Sequence, residues 1–249
     1  MHRFISFNHQ ILPAENSSLS AVSAAALYGK SIFTTVAVYN FKIFLWEKHW
    51  ERLTVNAKKL GIDLSDFTEQ TVKKSLLEII EKNDFRTGRV RLTFLDESPA
   101  RVWQNESENK TTFLIQTADF RTVKSKFNLT VSPFPVNSKS SLVGVKSGNY
   151  LENILAWEDA KAKDFDEAIR LNEKNEIVSA CLANVFWKKD GELFTPSLET
   201  GCLKGTMREF VLENRMVFET KVKLNELIEA DEIFITSAGI GIVKAEIIK

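Results

Sequence analysis

The stretch that decides the fold is SLVGVKSGNYLENILAWEDAKAKDFDEAIRLNEKNEIVSACLANVFWKKDGELFTPSLETGCLKGTMR, Ser141–Arg208. It holds Lys146 at the end of an apolar run that predicts a strand, and a helical pattern follows at once. Because desolvation by apolar neighbours lowers the pKa of an amine, Lys146 is a candidate nucleophile. The helix is predicted to bury one apolar face, formed by Leu151, Ile154, Leu155 and Ala162.

The same stretch ends in a glycine turn that opens onto a helix, Leu203-Lys204-Gly205-Thr206-Met207-Arg208. Before it, strands are predicted at Ala168–Leu171 and Glu176–Val178, and a hairpin pairs Asn184–Trp187 with Leu193–Thr195. The free backbone N–H groups and the dipole of a helix that starts at such a turn suit an anion such as phosphate. A lysine or a glycine turn alone is common in proteins that bind no ligand. The prediction of a binding site therefore rests on the spacing between the two.

Upstream of this stretch the pattern predicts two helices and a sheet. Trp46–Leu60 has apolar residues at helical spacing and is ended by Gly61. Thr71–Glu81 forms a second amphipathic helix. Ile32–Val38 and Gly88–Phe94 have the composition and alternation of strands.

Composition and charge favour an ordinary globular protein. The 249 residues include 33 Lys+Arg and 33 Asp+Glu, so no net field favours nucleic acid or an anionic membrane. Cys181 and Cys202 lack a CxxC spacing, which indicates reduced thiols in the cytoplasm. No apolar run approaches the ~20 residues that cross a bilayer, and the start MHRFISFNHQ has no signal-peptide core. We therefore expect a cytoplasmic protein with no membrane or nucleic-acid partner.

The spacing of the chemical residues resembles that of the class IV aminotransferases, the pyridoxal-phosphate enzymes of fold type IV. The positions that match the family pattern are Lys146, Asn149, Tyr150, Asn184, Phe186, Leu203, Gly205 and Arg208. The resemblance implies an α+β protein of two domains, with the cofactor at the domain interface. We expect an N-terminal α+β domain over residues 1–116, a linker over 117–122 and a C-terminal α/β domain over 123–249 that carries the lysine.

The resemblance also implies which residues bind the cofactor. Lys146 would hold pyridoxal phosphate and then act as the base that moves substrate protons. Arg52 stands in a His-x-x-Arg-Leu segment that matches the family, and its forked guanidinium suits the cofactor phosphate, whereas His49 is expected to be structural. The other expected cofactor contacts are Tyr150, Ser179, Gly205, Thr206, Met207 and Ser237.

Substrate contacts are expected from Arg91 and Thr35, with Arg91 placed to meet a substrate carboxylate, and no metal site is expected. Phe33 and Trp187 are expected to belong to the core. The family forms homodimers, so the resemblance implies a homodimer that acts on a small-molecule amine.

Two departures from the family pattern bear on the reaction. Ser179 stands where the family has a glutamate facing the pyridine nitrogen of the cofactor, a carboxylate that keeps this nitrogen protonated. A serine offers only a neutral hydrogen bond, which suits elimination of a good leaving group better than transamination. Phe33-Thr34-Thr35 resembles the lyases of the family, since the aminotransferases usually have Phe-Glu there.

These features favour 4-amino-4-deoxychorismate lyase, which releases pyruvate and forms 4-aminobenzoate for folate biosynthesis. Two alternatives stay open at this point. One is an aminotransferase of branched-chain or D-amino acids, and the other is a relative that has kept the fold and lost its catalysis.

Overall fold

The computed structural model describes residues 1–100, 110–120 and 122–248. They form two units: Met1–Arg121 with Lys146–Asn149, and Thr122–Val145 with Tyr150–Lys249. The predicted linker at 117–122 contains Arg121, which lies outside the described residues, and Thr117 and Ala118 end a strand. The predicted domain boundary stays a prediction.

In the described residues, the first unit is an antiparallel sheet with three α-helices. Its described strands have the order β2-β1-β6-β5-β3-β4. In chain order the elements are β1 (Phe4–Phe7), β2 (Gln10–Pro13), α1 (Ala24–Tyr28), β3 (Ser31–Tyr39), β4 (Lys42–Ile43), α2 (Trp46–Leu60), α3 (Glu69–Lys82), β5 (Gly88–Asp96) and β6 (Thr111–Ala118).

Both predicted helices of this unit are confirmed. Helix α2 has the predicted bounds, and Gly61 ends it in the left-handed region at φ 62°. Helix α3 begins two residues earlier than predicted, because Thr68 and Thr71 cap each other through backbone and side-chain hydrogen bonds. Most of the apolar residues of these helices are buried, although Val55 and Leu77 are exposed. The buried face of α2 also carries His49, and Arg52 beside it is half-buried.

Residues Lys146–Gly148 extend the edge of this sheet beside β3. The N–H of Phe33 donates to the carbonyl of Lys146 at 3.0 Å, and the N–H of Gly148 donates to the carbonyl of Ser31 at 2.8 Å. These bonds group Lys146 with the first unit, whereas we had assigned it to the C-terminal domain. The predicted strand before the lysine is also wrong, because residues 141–144 form turns and pair with no strand.

The second unit is a mixed eight-stranded sheet in the described part of the chain, with the order β12-β11-β10-β13-β14-β7-β8-β9. Its core holds Leu129, Ile169, Val185 and Ile235, all of which are fully buried. The elements are β7 (Lys126–Val131), α4 (Leu151–Ala162), β8 (Glu167–Leu171), β9 (Ile177–Ala180), β10 (Asn184–Lys189), β11 (Glu192–Pro196), α5 (Thr206–Asn214), β12 (Phe218–Thr220), α6 (Leu224–Ile228), β13 (Glu232–Ser237) and β14 (Gly241–Ile247).

Helix α4 turns a different face to the sheet from the one predicted. Leu151 and Leu155 are exposed, while Ala156 and Ala160 are fully buried against Ala168 of β8. Small side chains allow the helix and the sheet to approach closely, so the alanines are the residues that pack. The expected inward face, which also contained Ile154 and Ala162, is therefore wrong.

None of the helices in residues 1–100, 110–120 and 122–248 combines the length and apolar character that crossing a membrane requires.

Candidate active site

Lys146 lies among cations and an aromatic ring in the first unit. Its Nζ is 4.5 Å from the centre of the Phe33 ring, and the Arg91 guanidinium is 3.6 Å from the same centre. Desolvation by burial lowers the pKa of Lys146 well below the ordinary lysine value, and the charges of Arg52 and Arg91 lower it further. A lysine with a depressed pKa has a larger neutral fraction near neutral pH, and the neutral amine is the nucleophilic form.

The two residues expected to contact the substrate are direct partners on neighbouring strands of the first sheet. Thr35 of β3 is the direct partner of Arg91 of β5, so both side chains lie on one face of the sheet. Phe33, two residues before Thr35, lies on that same face. Arg91 is exposed, and its Nε donates to the hydroxyl of Thr93 at 3.4 Å. The structure thus brings Lys146, Arg91 and Thr35 together around Phe33, which is buried as expected.

The guanidinium of Arg52 is hydrogen-bonded to a buried hydroxyl of β3. Its Nη2 donates to Oγ1 of Thr34 at 2.6 Å, and the same oxygen is 2.6 Å from Nδ1 of His49. His49 is fully buried, and its pKa is lowered well below the ordinary value by burial first and then by Arg52 and Lys146. A neutral imidazole and one threonine hydroxyl therefore fix the position of the arginine.

The importance of this hydroxyl is testable with Thr34→Val. Valine has nearly the same shape but leaves the Arg52 and His49 nitrogens without this oxygen, so the free energy of unfolding should fall by about 2 kcal/mol. Urea unfolding measures the change. Thr34→Ser retains the hydroxyl and should lose less than half as much; a valine variant as stable as the wild type would contradict the network.

The depressed pKa of Lys146 predicts a pH dependence of stability. Between the folded-state pKa and about pH 10, the unfolded chain binds a proton at this lysine that the folded chain does not, so this residue makes stability rise with pH. Lys146→Met removes that contribution. In the cofactor-free protein the methionine variant should be more stable than the wild type near neutral pH, with the difference shrinking towards about pH 10. A pH-independent difference in urea unfolding would contradict the shift.

The second unit has a helix start at the predicted glycine turn. Gly205 is the residue before α5 and has no side chain, so it supplies no capping oxygen to the backbone N–H groups at the start of the helix, where Thr206 and Met207 lie. A Cβ at position 205 would overlap Oδ1 of Asn184. Asn184 is fixed in turn, because its Nδ2 donates to the carbonyl of Leu203 at 2.9 Å.

The strand beside this turn adds hydroxyl groups. Thr236 of β13 pairs directly with Asn184 of β10, and its buried Oγ1 makes no hydrogen bond within the described residues. Ser237, the predicted phosphate contact, follows it at the end of β13 and is partly exposed. An unsatisfied buried hydroxyl next to a helix start is a binding feature that the sequence did not reveal, since nothing in local spacing relates residue 236 to 184.

The second unit also contains the remaining predicted residues, Tyr150, Ser179 and Trp187. Tyr150 is the residue that precedes α4, and Ser179 lies on β9, where it is partly buried. Trp187 is buried in the core as expected. The roles of these residues as cofactor contacts stay predictions.

Comparison with known proteins relates this arrangement to one family. Residues 31–248 match the family model described as amino-transferase class IV. The aminodeoxychorismate lyase of Bacillus subtilis (strain 168) is 29% identical, over 95% of this chain and 83% of that protein. The D-alanine aminotransferase of Bacillus licheniformis is 27% identical, over 93% of this chain and 83% of that protein.

A solved structure agrees with these matches. The branched-chain aminotransferase of the archaeon Thermoproteus uzoniensis, determined with norvaline, has a TM-score of 0.91 and 26% identity, covering 99% of this chain and 88% of that one. The relatives thus carry out different reactions, but the family model spans most of the chain and the expected fold type is confirmed. The chain therefore belongs to the amino-transferase class IV family, whose members are pyridoxal-phosphate-dependent enzymes.

Proposed function

We propose that this protein is a pyridoxal-phosphate-dependent lyase that converts 4-amino-4-deoxychorismate into 4-aminobenzoate and pyruvate, a step of folate biosynthesis. The observation that carries the proposal is Ser179, a neutral residue at the position where the family has a carboxylate. The 29% identity to the Bacillus subtilis lyase supports the same reaction.

The residues present fit a phosphorylated aldehyde cofactor. Lys146 supplies an amine with a depressed pKa, and Arg52 supplies a guanidinium fixed by Thr34. Gly205 keeps the start of α5 open, so the N–H groups of the first turn suit a phosphate. In this proposal the phosphate is bound by Arg52, Thr206, Met207 and Ser237, while Tyr150 and Ser179 contact the ring.

When bound, pyridoxal phosphate supplies an electron sink for the carbon that bears the substrate amine. The neutral amine of Lys146 takes the proton from that carbon, because the freed lysine stays next to the position of attachment. The bond from the ring to the enolpyruvyl oxygen then breaks, and the substrate ring becomes aromatic. The enolate that leaves takes up on its terminal carbon the proton that Lys146 removed and becomes pyruvate, so the atoms of the substrate are all accounted for in the two products.

Arg91 and Thr35 orient the substrate in this proposal. An exposed guanidinium on the same sheet face as Thr35 is suited to a carboxylate, which 4-amino-4-deoxychorismate carries on its ring and on its side chain. The Arg91 guanidinium and Nζ of Lys146 both lie against the Phe33 ring, at 3.6 and 4.5 Å from its centre, so a carboxylate bound by Arg91 lies close to the amine.

The absence of a carboxylate at position 179 favours elimination over transamination. A carboxylate stabilises a protonated ring nitrogen, which strengthens the electron sink. Transamination relies on that sink to return a proton to the cofactor, whereas loss of the enolpyruvyl group is driven by formation of an aromatic ring. Replacement of the carboxylate by serine is therefore expected to slow the lyase reaction less than it slows transamination.

An aminotransferase of D-amino or branched-chain amino acids is the second candidate, supported by the D-alanine and branched-chain relatives. The two reactions can be distinguished with an amino acid alone, because only an aminotransferase transfers the amino group of that amino acid to its cofactor. Addition of D-alanine or leucine to the cofactor-loaded protein should leave its absorbance unchanged if the protein is a lyase. Conversion of the bound cofactor to its amine form by either amino acid would favour the aminotransferase, and no visible absorbance at all would favour a non-catalytic relative.

The expectations of a cytoplasmic location and a homodimer belong to the same proposal. The two cysteines are free and buried, which suits a reducing compartment.

A further inference from the structure

Ser179 has an arginine as its direct neighbour on the next strand. Arg170 of β8 pairs with Ser179 of β9 in the antiparallel ladder, so both side chains leave the sheet on the same face. That face is the one covered by α4, because Ala168 and Cys181, each two residues along its chain from the pair, cluster with Ala160 of α4. The serine that replaces the family carboxylate therefore lies next to a permanent cation.

Arg170 is almost completely buried, with 2% of its side chain exposed. Its Nη2 donates to the carbonyls of Phe134 and Pro135 at 3.2 and 3.4 Å. Its buried Nε makes no hydrogen bond within the described residues. A guanidinium cannot lose its proton to relieve burial, so this charge is retained in the folded protein.

The carboxylates around Arg170 do not restore the missing glutamate. Glu152, in the first turn of α4, is 3.6 Å from Nη2 and is mostly exposed, so solvent weakens its interaction with the arginine. Glu167, three residues before Arg170 on β8, accepts a hydrogen bond from the backbone N–H of Cys181 at 2.9 Å. Both carboxylates are thus already engaged, by the guanidinium and by the backbone respectively.

We propose that Arg170 and Ser179 act together as a positioning pair that keeps the ring nitrogen of the bound cofactor unprotonated. The inference rests on the proposed function, in which Ser179 faces that nitrogen. A protonated pyridine is a cation, and a cation placed near a buried guanidinium is disfavoured. The serine hydroxyl can donate a hydrogen bond to the neutral nitrogen, so the two residues favour the same protonation state.

The pair also explains why position 179 is not acidic in this chain. A glutamate at position 179 would lie beside Arg170 and form an ion pair with it, which would draw its charge away from the cofactor. Restoring the family carboxylate therefore requires two substitutions, Ser179→Glu and Arg170→Leu. Ser179→Glu alone should have a smaller effect on the ring nitrogen than the double variant.

The test is the nitrogen chemical shift of ¹⁵N-labelled pyridoxal phosphate bound to the full-length protein, followed as a function of pH. The wild type should show an unprotonated ring nitrogen throughout the neutral range. Arg170→Leu should raise the pH at which this nitrogen takes up a proton. Glu152→Gln removes the counter-charge of Arg170 from an exposed position and should lower it, so the two variants shift the same titration in opposite directions.

A protonated nitrogen in the wild type at neutral pH would overturn the inference and leave the lyase proposal standing. The same conclusion would follow if both variants bound the cofactor and titrated like the wild type. Arg170→Lys keeps the positive charge and should retain the wild-type titration, which separates an effect of charge from a loss of packing. A wild-type protein that binds no cofactor would overturn this inference together with the proposed function.

Discussion

Lys146→Ala is expected to abolish the visible absorbance of the protein with pyridoxal phosphate and to reduce the release of pyruvate by about a thousandfold or more. In the proposed function the lysine supplies both the amine that holds the cofactor and the base that moves the substrate proton. Its pKa is depressed by burial and by two arginines, so the neutral amine is available where an exposed lysine would be charged. Alanine removes both roles at once. Absorbance spectra and a coupled pyruvate assay measure the two losses separately.

The matched control is Lys189→Ala. Lys189 is a partly exposed lysine of the second unit that forms an ion pair with Glu229 at 3.3 Å, and a surface pair of this kind contributes little. Its removal should leave both the absorbance and the rate unchanged. A Lys146→Ala protein that keeps the visible absorbance would show that another amine holds the cofactor.

The second large effect is expected from Gly205→Ala. The added Cβ would overlap Oδ1 of Asn184, and Asn184 can move only by giving up its hydrogen bond to Leu203. Overpacking of a well-packed site costs about 1–3 kcal/mol, which would appear as lower stability and a displaced start of α5. We expect about 1.4 kcal/mol of that cost to fall on the bound state, which decreases the affinity for pyridoxal phosphate about tenfold. Fluorescence titration with the cofactor and urea unfolding give the two numbers.

Gly239→Ala provides the control for this substitution. Gly239 follows the other predicted phosphate residue, and the nearest contact of an added Cβ is Oγ of Ser237 at 3.9 Å, an ordinary van der Waals distance. Stability and cofactor affinity should therefore stay close to the wild type. Equal losses in both alanine variants would show that the glycine turn before α5 has no special geometry.

Local pattern was sufficient for the elements whose stability is local. Helix α2 was predicted to the residue because its apolar spacing and the stop signal at Gly61 act within one helix. The strand predicted before Lys146 was wrong because strand formation depends on distant residues. The apolar residues of that segment resemble a strand, but a strand needs a partner, and the pairing with β3 begins only at the lysine.

The inward face of α4 shows a second limit. Large apolar residues are usually the buried ones, yet the closest packing in this helix is made by Ala156 and Ala160. The helix spacing was read correctly, but the choice of face depends on the distance to the sheet, which is a property of the whole unit. Strand β7 was missed because both of its partners, β8 and β14, pair with it in parallel from distant parts of the sequence.

The residues of the candidate site also fall into those that local sequence predicts and those that it does not. Lys146, Arg52 and the Gly205 turn could be proposed because each belongs to a short segment with its own spacing. The partners that tune them could not, since the Thr34–His49 contact and the Arg170–Ser179 pair depend on how strands and helices pack. The relatives of this chain include a lyase and an aminotransferase, so the matched motif alone does not identify the reaction.

Product analysis after mixing the cofactor-loaded protein with 4-amino-4-deoxychorismate and no amino acid distinguishes the lyase from the aminotransferase. We expect 4-aminobenzoate and pyruvate in equal amounts from the wild type and neither product from Lys146→Ala. A protein that holds the cofactor on Lys146 but forms neither product, while it converts the cofactor to its amine form with an amino acid, would contradict the lyase assignment.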